Sequence, residues 1–219
     1  MKQGFVKVAA VTPDIRVADV EFNKEQICRK MDEAAASGAK IIVFPELCVT
    51  GYTCSDLFTQ DVLLDHAREV LTEIAAHTRD MDALVFVGAP LAVDGELYNV
   101  AAAMNHGKIL GLTTKTFLPN YGEFYEMRQF REGPEKAREI EFDGEMVPFG
   151  PKILFAAKQM EHLIVAAEIC EDVWSPVPPS IEAVREGATV IVNCSASDET
   201  IGKAAYRESL IEGQSARLI

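Results

Sequence analysis

Short apolar, β-branched runs alternate with amphipathic stretches along most of this chain, which restricts it to architectures that combine sheets with helices. Residues 5–11 read as a first buried strand. Asn23 predicts a helix cap, with Gln26 completing a capping box, Ile27, Met31, Ala34 and Ala35 sharing one face, and Gly38 as the stop. Residues 40–44 predict a strand ended by Pro45. A helix over 59–78 is expected to bury Leu63, Ala67, Val70, Leu71 and Ile74, ahead of a strand over 84–88. Strands over 98–104 and 108–114 flank Asn105-His106-Gly107, a hairpin turn signal. Residues 147–149 and 153–155 are expected to pair with each other, followed by a strand over 163–167. A short helix capped by Ser180 and ending near Gly187, a strand over 189–194 and a helix over 207–218 complete the pattern. The hairpins exclude a purely parallel doubly wound sheet; two sheets with helices outside them accommodate every element. No stop signal precedes Ile219, which predicts a chain cut within a fold.

The 219 residues suffice for the core of one large domain, and 48% hydrophobic with 25% charged residues is a globular balance. A formal net charge of -13 argues against a nucleic-acid backbone or an anionic membrane as the main partner. Lys7, Pro13 and Asp14 interrupt the N-terminal apolar run, so neither a signal peptide nor a membrane span is expected. Cys28, Cys48, Cys54, Cys170 and Cys194 form an odd set without a C-x-x-C pair. That fits neither a disulfide framework nor a metal site and suits a reducing cytoplasm.

Polar groups at the ends of buried strands mark where open sheets present ligands, and three such places stand out. Glu46 emerges from the run ending in Phe44-Pro45, where desolvation raises a carboxylate toward the range of a general base. Lys115 directly follows a strand, placed to stabilise an oxyanion or lower the pKa of a thiol. Cys170 follows the run Val165-Ala166-Ala167-Glu168-Ile169 at a polar turn, with the backbone N–H of Glu171 available to an oxyanion. Taken singly, each favours a bland role: a solvated Glu, a surface Lys, a small buried hydrophobe.

Their order and context add weight. FPELCVTGY (residues 44–52), KTFLPNYGEFYEMRQF (115–130) and EICEDVW (168–174) resemble the three motif blocks of the nitrilase superfamily, and the resemblance extends over nearly the whole chain. It implies an α/β fold of the four-layer αββα sandwich type, truncated here at its C-terminal end, with Glu46, Lys115 and Cys170 as catalytic triad. Within the superfamily, residues 115–121 with Glu123, Phe124, Tyr125 and Glu126 look like the glutaminase domain of glutamine-dependent NAD⁺ synthetases. So do residues 168–174, Asn193-Cys194-Ser195-Ala196-Ser197, Ile201-Gly202-Lys203 and Gln214-Ser215-Ala216-Arg217.

That resemblance implies that Cys170 attacks the glutamine side-chain amide to form a thioester, that Glu46 is the base, and that Lys115 and the Glu171 N–H bind the oxyanion. Glu126 would orient the lysine. Tyr121, Ser197 and Lys203 would contact glutamine, with Phe124 and Trp174 shaping the pocket. No cofactor or metal is implied for this domain. ATP with Mg and deamido-NAD⁺ belong to a C-terminal ATP-pyrophosphatase synthetase domain of the same polypeptide, whose Ser-Gly-Gly-x-Asp-Ser type phosphate loop has no counterpart here. The resemblance also implies homo-oligomeric pairing through the sandwiches. A stand-alone amidase or carbamoylase acting on another small amide is the alternative.

Overall fold

The computed structural model describes residues 4–218; the expectation attached to Ile219 lies outside them. One seven-stranded sheet holds β1 (Val8–Ala10), β2 (Ile41–Val43), β3 (Leu84–Val93), β4 (Glu96–Asn105), β5 (Lys108–Thr114), β6 (Arg138–Phe142) and β7 (Glu145–Gly150), in the order β1-β2-β3-β4-β5-β7-β6. A three-stranded sheet holds β8 (Leu154–Ala156), β9 (Ile164–Ile169) and β10 (Val190–Cys194), in the order β10-β9-β8. The helices are α1 (Val20–Ala36), α2 (Asp61–His77), α3 (Pro179–Arg185) and α4 (Lys203–Leu218).

The two-residue period of the strands sorts side chains into layers. Val85 and Val87 of β3 join the core under α1 and α2, which includes Ile27, Met31, Val70 and Ile74. Phe86, between them, faces the other way, where Ile41, Ala101 and Ala103 meet Phe155, Val165, Ala167 and Ile169 of the smaller sheet. Ala166, on the far face of β9, packs with Ala183 and Ala188 beside α3. The result is the four-layer αββα sandwich, with parallel β1-β2-β3 pairing and antiparallel β3-β4-β5 hairpins in one sheet.

Several local expectations need correction. The cap of α1 is Asp19, whose carboxylate accepts the Phe22 N–H at 3.2 Å; Asn23 lies one turn inside the helix. The first strand is shorter than residues 5–11, and Phe5 is exposed. Before α2 the chain forms a 3₁₀ segment, Tyr52–Thr59, and the helix itself begins at Asp61. The strand over 84–88 continues to Val93 and turns at Asp94-Gly95, both at positive φ, into β4. Asp143-Gly144 makes the same kind of turn between β6 and β7, so residues 147–149 pair with β6 and β5, while residues 154–156 join β9 in the other sheet. Ser180 is not a cap: Pro178 precedes α3, and the Ser180 N–H donates to the Glu168 carboxylate at 3.2 Å. The last helix starts at Lys203 rather than at residue 207. No described helix is long and apolar enough to cross a membrane.

Asn23 is fully buried and ties α1 to two loops. Its Oδ1 accepts the Arg16 N–H at 2.8 Å, and its Nδ2 donates to Arg16 O at 2.8 Å and Val49 O at 3.0 Å. Asn23→Ala strands these backbone groups, and a loss of about 2–4 kcal/mol in unfolding free energy is expected from urea denaturation. A midpoint equal to that of the parent protein contradicts this account.

Candidate active site

The three strand ends singled out in the sequence converge at one end of the sandwich. Pro45 stops β2 and Leu47, at φ +50°, turns the chain, which leaves Glu46 only 1% exposed between them. This turn is pressed against β3. A Cβ at Gly88 would lie 2.5 Å from Leu47 N and 2.7 Å from Glu46 Cα, so only glycine admits the approach. Glu46 Oε1 accepts from Lys115 Nζ at 2.6 Å and from Asn99 Nδ2 at 2.7 Å, and Oε2 accepts the Ala196 N–H at 3.1 Å.

Lys115 leaves β5 fully buried, with its ammonium also 2.6 Å from Glu126 Oε1. Burial alone favours the neutral amine, but the carboxylates of Glu46 and Glu126 outweigh it and hold the lysine above its usual pKa. Glu126, on a 3₁₀ turn (Glu126–Arg128), takes a second bond on Oε1 from the Tyr52 hydroxyl at 2.7 Å. Its Oε2 is buried without a partner. Burial, opposed by Lys115, raises the Glu126 carboxyl above the ordinary carboxylate range.

Cys170 opens a 3₁₀ turn (Cys170–Trp174) directly after β9 and sits at φ +43°, a strained conformation for a residue with a Cβ. Its N–H donates to Asn193 Oδ1 at 3.1 Å. Cys170 is 3% exposed, and its thiol lies within electrostatic reach of Glu46, Lys115 and Glu126. Burial and then the Glu46 charge push it up to about 12, while Lys115 and a bond with Ser195 pull it down. Desolvation thus favours the protonated thiol, with the Glu46 carboxylate and the Lys115 ammonium both near enough to act on its charge.

The residues expected to contact a ligand surround this cluster. The Tyr121 hydroxyl donates to the Glu171 carboxylate at 2.9 Å. Lys203 pairs with Asp198 and lies 5.7 Å from the Phe124 ring centroid and 5.6 Å from that of Trp174. Ser197 is half-buried, between Ala196, whose N–H binds Glu46, and Asp198, which pairs with Lys203. Lys203 and Asp198 thus place opposite charges beside the Phe124 and Trp174 rings. Sequence reasoning missed Asn99, Asp172 and Asp198 and assigned no site role to Asn193. Asn99 did leave a signal, an amide inside the apolar run of β4, whereas nothing in the sequence pattern marked Asp172 or Asp198. Among the described residues no group of three or more His, Cys, Asp or Glu side chains is arranged to hold a metal ion.

A sequence profile of the carbon–nitrogen hydrolase family matches residues 7–214. The glutamine-dependent NAD(+) synthetase of Mycobacterium leprae is 39% identical over 217 residues, which cover 99% of this chain and 32% of that protein. That of Aquifex aeolicus is 36% identical over 198 residues, covering 90% and 31%. The chain thus spans about a third of the length of these curated relatives. Among solved structures, a glutamine-dependent NAD(+) synthetase from Cytophaga hutchinsonii superimposes with a TM-score of 0.84 at 32% identity, over 95% of this chain and 33% of that one. An amidase from Nesterenkonia sp. shares the fold with a TM-score of 0.69 at 22% identity, over 96% of this chain and 72% of its own.

A thiol held near pKa 12 has a thiolate fraction that grows with every step in pH well past the range of a free cysteine. Alkylation of Cys170, followed by peptide mass spectrometry, should accelerate about tenfold per pH unit from about pH 7 to pH 10 without levelling off. A plateau reached below about pH 8 would show a thiolate at rest instead.

Proposed function

The chain belongs to the carbon–nitrogen hydrolase family, and from that premise we propose that it is the glutaminase module of a glutamine-dependent NAD⁺ synthetase. The observation that carries the chemistry is the fully buried Lys115 ammonium, 2.6 Å from Glu46 and within electrostatic reach of the Cys170 thiol. The choice of glutamine rests on the relative that matches 99% of the chain and on the Lys203–Asp198 pair beside the Phe124 and Trp174 rings.

In this reading Cys170 Sγ attacks the side-chain amide carbon of glutamine as Glu46 takes the thiol proton. The tetrahedral oxyanion accepts from Lys115 Nζ and from the Glu171 N–H. Glu46 returns the proton to the departing nitrogen, which leaves as ammonia, and a γ-glutamyl thioester remains. Water then attacks the thioester, Glu46 takes its proton, and collapse releases glutamate with the thiol restored. Glu126 and Tyr52 hold the lysine on the reacting side. Lys203 offers a cation to the α-carboxylate and Asp198 and Glu171 offer anions to the α-ammonium, with Tyr121 and Ser197 as further polar contacts. Phe124 and Trp174 wall the pocket.

The ammonia would be used by an ATP-pyrophosphatase domain of the same polypeptide, which amidates deamido-NAD⁺ with ATP and Mg. A cytoplasmic, homo-oligomeric enzyme is the setting this reading implies. The other reading is a stand-alone amidase for a different small amide, since the Nesterenkonia amidase has the same fold.

Intact-protein mass spectrometry after exposure to a diazo-ketone mimic of glutamine separates them. A single adduct on Cys170 that excess glutamine suppresses is expected, and Cys170→Ala should show neither adduct nor ammonia release. Lys115→Met should lower kcat by about 100- to 1000-fold. Protection by short aliphatic amides but not by glutamine transfers the assignment to an amidase, and turnover surviving in Cys170→Ala ends the thioester mechanism.

A further inference from the structure

Lys115 and Glu46 hang from the seven-stranded sheet and Cys170 from the three-stranded one. The apolar contacts that pack these sheets together are not directional and do not by themselves fix their relative position. Asp172, 1% exposed, supplies a directional tie at the site. Its Oδ1 accepts the backbone N–H groups of Thr116 at 3.1 Å and Phe117 at 2.8 Å, the residues that follow Lys115. Its Oδ2 accepts the N–H of Ile169, the residue before Cys170, at 2.9 Å. One carboxylate therefore clamps the exit of β5 to the exit of β9, and its bond to Ile169 also braces the turn that holds Cys170 at positive φ.

We propose that Asp172 is a positioning residue that sets the separation between the Lys115 ammonium and the Cys170 thiol. The proposal rests on the reading of Lys115 and Cys170 as reacting groups. Three backbone donors on one buried carboxylate are directional where methyl-to-methyl contacts are not, and hydrogen bonds to an ionised acceptor are roughly twice as strong as neutral ones. Burial pushes Asp172 up to about 7, and the donors at Ile169 and Phe117 oppose that rise by favouring the ionised form. Asp172→Asn keeps the volume but turns an amide N–H toward at least one of these donors, so the clamp opens on one side.

Alkylation of Cys170 by iodoacetamide tests this without any substrate, so an error about glutamine leaves the readout intact. Rates at fixed pH are compared for the parent protein, Asp172→Asn, Lys115→Met and the double variant. Asp172→Asn should slow alkylation by about tenfold, because a thiol further from the ammonium ionises less readily. In the double variant it should add less than about twofold to the effect of Lys115→Met, since the lysine it positions is gone. Penalties that multiply in the double variant, or an Asp172→Asn rate within about twofold of the parent, overturn the proposal. If circular dichroism shows that Asp172→Asn does not fold, Asp172→Glu, which keeps the charge but displaces it by one methylene, is carried through the same cycle. Slowing that requires Lys115 supports the clamp, and an unchanged rate or a penalty independent of Lys115 refutes it.

Discussion

The site is organised around a buried ammonium held between two carboxylates. Lys115 is fully removed from water, with Glu46 and Glu126 each 2.6 Å from its Nζ. A single buried pair is weak evidence of stabilisation, since desolvation offsets most of the attraction. Its value here is geometric: the lysine stays charged, and the partners of each carboxylate fix where that charge points. Asn99 and the Ala196 N–H hold Glu46, and Tyr52 holds Glu126. Elements far apart in sequence are drawn together by that charge, and the sandwich supplies the dry walls within which it acts strongly.

The layers place these groups. β2 and β5 deliver Glu46 and Lys115 from one sheet, and β9 delivers Cys170 from the other. Close approach between β3 and the turn after β2 depends on the missing side chain at Gly88. Gly133 has a similar role beside β5. Its N–H donates to Lys115 O at 2.9 Å, and a Cβ there would collide with the Thr114 side chain. Two glycines thus govern how closely the backbone can crowd the acid and the lysine.

Much of this was legible in the sequence, and the failures follow a pattern. Buried runs such as Ile41-Ile42-Val43 and the face carrying Ile27 and Met31 identified themselves, because hydrophobic periodicity reports burial directly. So did the strand-end placement of Glu46, Lys115 and Cys170. Boundaries failed where a polar residue had two possible uses. Asn23 fits the composition of a helix cap, yet its amide binds Arg16 and Val49, a long-range service that no local pattern encodes. Asp94-Gly95 and Asp143-Gly144 were readable hairpin turns, and overlooking the second assigned residues 147–149 the wrong partner. Asp172 and Asp198 could not be separated from solvated loop acids, because what distinguishes them is burial in one case and Lys203 in the other.

The desolvation that favours the protonated form of Cys170 also bears on how such a protein ages. Peroxides and other soft oxidants react with thiolates, and a buried thiol held near pKa 12 exposes little of that form at neutral pH. On the proposed reading, the sulfur that attacks the amide is thus one that exposes little thiolate between turnovers. The desolvation that raises its pKa would then also slow its oxidation, because burial disfavours the thiolate that oxidants attack.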